Sequence, residues 1–221
     1  YSNLKAMVCY IDGLINKDLL DRDIIKPIID NLDSPQKIKK IMYISSMEET
    51  NLLQEIVDKM VCGNVAIFIE DAKQCYIINL NHWEKRAIEE PQGEAVVRGP
   101  KEGFIEDILV NKAMLRRRIR NNDLVFEDYI GGKQTKTRIS ISYIQGIVNE
   151  QALKEVRNRV ENINIDGVLE SGYIEQLIEE NPASLISTIA NTQKPDVVVG
   201  KLLEGRVAVF CDGTPHVLTM P

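Results

Sequence analysis

The sequence contains no apolar run approaching the roughly 18 residues that a membrane-crossing helix requires. Its start also lacks the charged-then-apolar layout of a signal peptide. These 221 residues are therefore expected to fold in water. The chain opens strand-like at Leu4 and stops abruptly at Met220-Pro221, which fits an excised piece of a longer protein. A basic field is lacking too. Net charge is −6 and the pI about 5.1, so nucleic acid is not expected as a partner.

Cysteine and histidine are sparse. Cys9, Cys62, Cys75 and Cys211 stand singly, with no C-x-x-C and two histidines to assist, so buried free thiols in a reducing compartment are expected rather than disulfides or a metal site. His82 and His216 are isolated. No G-x-S-x-G, H-E-x-x-H or G-x-G-x-x-G occurs. Gly132-Lys133 resembles the end of a phosphate loop, but Glu127 stands where the first glycine belongs and Gln134 where the metal-binding hydroxyl belongs, so a hairpin turn is the simpler reading. The expectation is a protein without cofactor, metal or catalytic centre.

What is present is ordinary globular composition, 44% hydrophobic and 27% charged. Leu4 to Ile11 reads as a strand, and Asn16 opens a helix to about Asp30 with Leu19, Leu20, Ile24 and Ile28 at helical spacing. Ile38 to Ile44 reads as a strand. Ser46 and Glu49 resemble a capping box for a helix carrying Leu52, Leu53, Ile56 and Met60 and ending at Gly63. Val65 to Ile69 and Cys75 to Leu80 follow as a hairpin. This β-α-β-α-β-β order suggests a sheet with parallel neighbours. Later, Leu124 to Ile130 and the alternating Thr135 to Tyr143 form a hairpin around Gly131-Gly132. Helices are expected at Asn149 to Val160, Tyr173 to Glu180 and Pro195 to Leu203, a strand near Leu185 to Ile189, and a closing hairpin, Arg206 to Cys211 with Pro215 to Thr219.

The two parts echo each other. Tyr10-Ile11-Asp12-Gly13-Leu14-Ile15-Asn16 aligns with Tyr143-Ile144-Gln145-Gly146-Ile147-Val148-Asn149, and Gly63-Asn64-Val65-Ala66-Ile67-Phe68 with Gly205-Arg206-Val207-Ala208-Val209-Phe210. The predicted fold is α/β in two lobes, each a mixed β-sheet covered by helices, joined by a connector with a long amphipathic helix. The boundaries are 1–80, 81–122 and 123–221. Asp12, Asp71 and Asp212 end strands, where an α/β fold can place a ligand crevice, although turn formation explains aspartate there equally well.

The connector gathers Phe104, Ile105, Ile108, Leu109, Leu115 and Ile119 on one helical side. Acids at its start (Glu102, Glu106, Asp107) and bases at its end (Lys112, Arg116, Arg117, Arg118, Arg120) suit the helix dipole, so a well-charged surface helix is one reading. The other is a docking surface, its guanidiniums answered by carboxylates of the other lobe or another subunit.

The run from Glu90 to Arg120, E-P-Q-G-E-A-V-V-R-G-P-K-E-G-F-I-E-D-I-L-V-N-K-A-M-L-R-R-R-I-R, resembles the signature segment of the GerA family of spore germination proteins, in particular the A subunits of germinant receptors. Leu169 to Asn181 and Phe210-Cys211-Asp212-Gly213-Thr214-Pro215 are similar to that family as well. The resemblance implies a soluble region ahead of a membrane-spanning one, in the spore inner membrane and on the reducing core side. It implies B and C subunits and further A subunits as partners, with nutrients triggering ion release. The A-like proteins that assist germination without being receptors fit equally well. Candidate contact residues are Glu90, Pro91, Gln92, Arg98, Gly99, Pro100, Glu102, Arg116, Arg117, Arg118 and Arg120. Reversing Arg117 and Arg118 to glutamate is expected to weaken assembly or signalling while leaving the domain folded. The rival reading is a small-molecule binding module with a cleft between the lobes.

Overall fold

The computed structural model describes residues 4–32, 34–42, 47–80, 102–179 and 188–221. They form two compact units, one built on residues 4–80 with Arg120–Asn122, the other on residues 102–119 and 123–221. Each is a sheet with helices on both faces.

In the first unit β1 (Ala6–Cys9) leads into a helix in three parts, α1 (Lys17–Leu20), a π-helical turn at Asp21–Ile25, and α2 (Lys26–Asn31). Pro27, which has no N–H to donate and crowds the carbonyl one turn back, accounts for the wide turn just ahead of it. A 3-10 turn (Pro35–Lys37) and α3 (Ile38–Ile41) follow, then β2 (Met47–Thr50), α4 (Leu53–Val61) and the hairpin β3 (Asn64–Ile69) and β4 (Cys75–Asn79). The strand order is β1-β3-β4-β2, and every neighbouring pair is antiparallel, not parallel as the element order suggested.

Two local expectations fail here. Ile38–Ile41 is helical because Pro35 starts the turn and Ile38 and the capping Met42 are buried four residues apart, a helical rather than an alternating spacing. Ser46 lies outside the described residues, and Met47–Thr50, expected as the start of a helix, pairs with β4. The helix opens later, where the Thr50 hydroxyl accepts from the Leu52 N–H at 3.2 Å and donates to Glu55. Pairing in the sheet overrides the local capping signal.

The second unit contains α5 (Ile108–Arg118), β5 (Leu124–Gly131), β6 (Thr137–Ile144), α6 (Glu150–Glu161), α7 (Ser171–Ile178), β7 (Ala190–Thr192), α8 (Pro195–Leu203), β8 (Val207–Cys211) and β9 (Val217–Met220). Its all-antiparallel order is β5-β6-β8-β9-β7. The strand expected near Leu185 to Ile189 lies largely outside the described residues, and β7 follows it. Alternation along β6 sends Ile139, Ile141 and Tyr143 to a core with Leu153, Val156 and Ile174, and Ile144 to a second core with Leu115, Val198 and Phe210. β8, covered on both faces, is buried at every residue. The amphipathic helix of the joining segment, α5, packs into that second core.

The echo in sequence is an echo in topology. Without β5, the second sheet reads β6-β8-β9-β7, the order of β1-β3-β4-β2. Gly13 and Gly146 turn the chain at φ +80° and +82°, and Asn16 and Asn149 then cap the following helices with their side-chain oxygens. Thr50 and Thr192 each leave the edge strand by accepting the backbone N–H two residues on, at 3.2 and 3.1 Å. Gly63 and Gly205 end α4 and α8 at φ +85° and +84°. A Cβ on Gly205 would lie 2.7 Å from the Ile147 carbonyl oxygen, so glycine is required there by both conformation and space.

Candidate functional site

The described part of the arginine-bearing segment is a helix fixed at both ends. Asp107 caps α5 through one carboxylate oxygen that accepts from the N–H groups of Leu109 (2.8 Å) and Val110 (3.4 Å). A third exposed donor, the Ile108 N–H, reaches the Asp212 carboxylate at 3.2 Å. The other oxygen of Asp212 is held by Arg138 at 3.0 and 3.2 Å, and the Gly213 N–H donates to the Glu106 carbonyl at 2.8 Å. The start of α5 is thereby attached to the β8–β9 turn. The helix begins four residues later than its apolar pattern suggested, with Phe104 and Ile105 in the extended approach and Leu109 36% exposed.

That approach is fixed by Asn111, whose side chain is buried at 1% exposure. It accepts from the Ile105 N–H at 2.9 Å and donates to the Ile105 carbonyl at 2.5 Å, bonding both backbone groups of one residue. The Phe104 N–H donates to the Gln193 carbonyl at 2.9 Å. At the far end Arg118, 17% exposed, spreads its guanidinium over three acceptors: Asp196 (2.7 Å), Glu102 (2.8 Å) and the Met114 carbonyl (3.2 Å). Asp196 lies in the first turn of α8, so one side chain joins two helices and the approach segment.

The arginine cluster is thus answered in part within its own unit. Arg116 lies over the Phe126 ring, 5.1 Å from its centre, and Lys112 lies over the same ring at 5.5 Å while bonding Asp128. Burial lowers the proton affinity of Arg116, and also that of Arg117, where nearby Glu102 partly offsets it. Arg117 bonds the Ala113 carbonyl at 3.4 Å. Arg120 is exposed and belongs to the first unit. Glu90, Pro91, Gln92, Arg98, Gly99 and Pro100 lie outside the described residues.

Two of the candidate crevice aspartates are held apart within one unit. β1 and β3 are antiparallel, so Asp12 after β1 and Asp71 after β3 sit at opposite ends of the first sheet, and Asp212 is in the other unit. Asp12 bonds its neighbour Gly13 and pairs with Lys17 at 2.9 Å. Asp71 takes φ +65° in the hairpin turn, and Asp212 positions a helix. All three stand in turns. All four cysteines are free thiols; Cys75 and Cys211 are buried, and burial pushes the Cys211 thiol up to about 12. His216 contacts Asn191 and Gln193, each at 2.8 Å.

A cluster that motif reading missed joins β5, β6 and α6. Arg157 grips Glu127 through two bonds of 2.5 and 2.8 Å, and Tyr143 and Tyr129 donate to the same carboxylate at 2.7 and 3.1 Å. The Arg157 guanidinium also lies over the Tyr143 ring. The Arg157 bonds hold the Glu127 carboxyl down to about 2, while burial and that carboxylate push the Tyr129 phenol up to about 12. The available signal was Glu127 and Tyr129 two apart on one strand, with Tyr143 on the next strand paired to Val125 and so diagonal to Glu127.

Because the folded value lies below the ordinary 4.5, the contribution of Glu127 is complete above about pH 4.5 and is lost as pH falls toward 2. With solvent screening it is worth on the order of 2 kcal/mol. Urea unfolding of Glu127→Gln should therefore show the parent ahead by that margin at pH 7, and the gap closing between pH 4.5 and 2. A constant gap would mean the charge contributes nothing.

No described helix is long and apolar enough to cross a membrane, and the described residues contain no cluster of three or more metal-binding side chains. The family model of the Bacillus/Clostridium GerA spore germination protein matches residues 1–221. Spore germination protein KA of Bacillus subtilis (strain 168) is 39% identical over 97% of this chain, and spore germination protein B1 of the same organism 35% identical over 100%. This chain spans only 40% and 47% of those relatives' lengths. The crystal structure of the N-terminal domain of the A subunit of the Bacillus megaterium spore germinant receptor GerK3 superposes with a TM-score of 0.72 at 31% identity, covering 99% of this chain and 83% of that one. A match along every residue, two relatives above 30% identity and a shared two-lobed α/β fold lead to one conclusion: this chain belongs to the GerA family of spore germination proteins.

Proposed function

We propose that this chain is the N-terminal region of a germinant-receptor A subunit and that it acts by contact rather than by catalysis, coupling nutrient sensing to ion release across the spore inner membrane. Its partners in this reading are the B and C subunits and further A subunits, with the membrane engaged by other parts of the longer protein.

The observation that carries the reading is the mounting of α5. Arg116 and Arg117 are presented on a helix whose start is bonded to the β8–β9 turn and whose end is bonded to α8. Guanidiniums held in place and already partly stripped of water lose little more on meeting a carboxylate of a neighbouring subunit. Arg118 takes a different role. Its bonds to Glu102 and Asp196 make it part of the scaffold, so reversing it tests folding, not docking.

The informative variant is therefore Arg116→Glu with Arg117→Glu in the full-length protein. Germination, followed as loss of optical density after nutrient addition, should slow by about tenfold or more. The melting temperature of the 221-residue chain, measured alongside, separates a docking defect from a loss of fold. Germination at the parent rate would end the docking reading. Saturable heat on titrating nutrients into the isolated chain would favour ligand binding instead.

A further inference from the structure

Matching the two units strand for strand exposes a difference between them. Phe68 on β3 corresponds to Phe210 on β8. Met7, paired with Phe68, corresponds to Ser140, paired with Phe210, and Cys9 to Ser142. In the second unit this corner is closed. Phe210 is 1% exposed, with Phe104 edge-on at 5.5 Å and Phe126 at 6.4 Å, and Ser140 and Ser142 are fully buried. The closing parts are α5 with its approach segment and β5, which pairs antiparallel with the outer edge of β6 over eight residues.

In the first unit the same corner is open among the described residues. Met7 is 55% exposed, Phe68 and Cys9 are half-buried, and the helix on that face is α4, the counterpart of α8. Among the described residues β1 pairs with β3 alone, so its outer edge has no strand partner among them and stands beside an apolar corner, an arrangement that sheets otherwise cover or blunt.

We propose that this corner receives a helix followed by a strand, the strand antiparallel to β1, supplied by polypeptide immediately ahead of β1 in the longer protein. The source follows from the duplication: α5 and β5 directly precede β6 in the chain, joined by a short turn, and the repeat places their counterparts directly before β1. The relatives are more than twice as long as this chain, which leaves room for such a segment. The incoming residues would be apolar where they meet Phe68 and Met7, the places held by Phe104 and Phe126 in the second unit.

Hydrogen exchange tests this on the natural polypeptide from its own first residue to Pro221, beside the 221-residue chain. The outward-facing amides of β1 should exchange about 100-fold more slowly in the longer protein. Met7→Glu should leave the melting temperature of the shorter chain unchanged and lower that of the longer one. The proposal is overturned if β1 amides are equally protected in both chains, since residues already present would then cover the edge. It is overturned equally if they stay unprotected in the longer protein, or become protected only when another subunit is added.

Discussion

Replacing Arg118 by glutamate is expected to destabilise the second unit by about 3 kcal/mol, a fall of roughly 6–10 °C in melting temperature for a chain of this size. The side chain is 17% exposed and serves three acceptors on three segments, so removing it releases the approach to α5 from α8. Reversal is worse than removal because it places a third carboxylate between Glu102 and Asp196. Because those two carboxylates are themselves partly exposed, Arg118→Ala should cost less, about 2 kcal/mol. Arg118→Lys should fall between, since an ammonium cannot reach three acceptors with the geometry of a planar fork. Urea denaturation followed by circular dichroism measures the series, and an Arg118→Glu variant as stable as the parent would refute the structural role given to this side chain.

Asn111→Leu is expected to cost about 3 kcal/mol for a separate reason. Leucine fills nearly the same volume but leaves the Ile105 N–H and carbonyl without partners at a site 1% exposed, and each unanswered buried group typically costs about 1–3 kcal/mol. Asn111→Asp gives the sharper test. A carboxylate still accepts from the Ile105 N–H but faces the Ile105 carbonyl with negative charge, whereas a protonated carboxyl can donate to it. The Asn111→Asp variant should therefore regain stability relative to the parent as pH falls from 7 to 5. A loss independent of pH would show that the bond to the Ile105 carbonyl matters little.

The sequence carried the fold where local rules and burial agree. Asn16 and Asn149 before apolar helices, Gly63 and Gly205 after them, and the alternation from Thr137 to Tyr143 were all readable, and from them the two related lobes. It misled where strand pairing decides. Met47–Thr50 is polar enough to suit a helix start and becomes an edge strand because β4 offers it a partner. Strand direction was illegible because a β-α-β order is compatible with either sense, and nothing in the residues reveals that β3 inserts between β1 and β4. The arginine run was visible as charge, but the carboxylates that answer Arg118 lie 16 residues before it and 78 after it. Charge complementarity across that distance exists only once the chain is folded. Asp12 and Asp71 both follow strands, but an antiparallel pair sends successive strand ends to opposite sides, which no residue pattern reveals before the pairing is known.

The attachment of α5 to the β8–β9 turn also bears on how the second unit is held together. The helix start shares Asp212 and Gly213 with the last hairpin, and Asn111 and Arg118 bond the approach ahead of it. Helix, approach and final turn are thus knotted by hydrogen bonds into a single piece of the second unit.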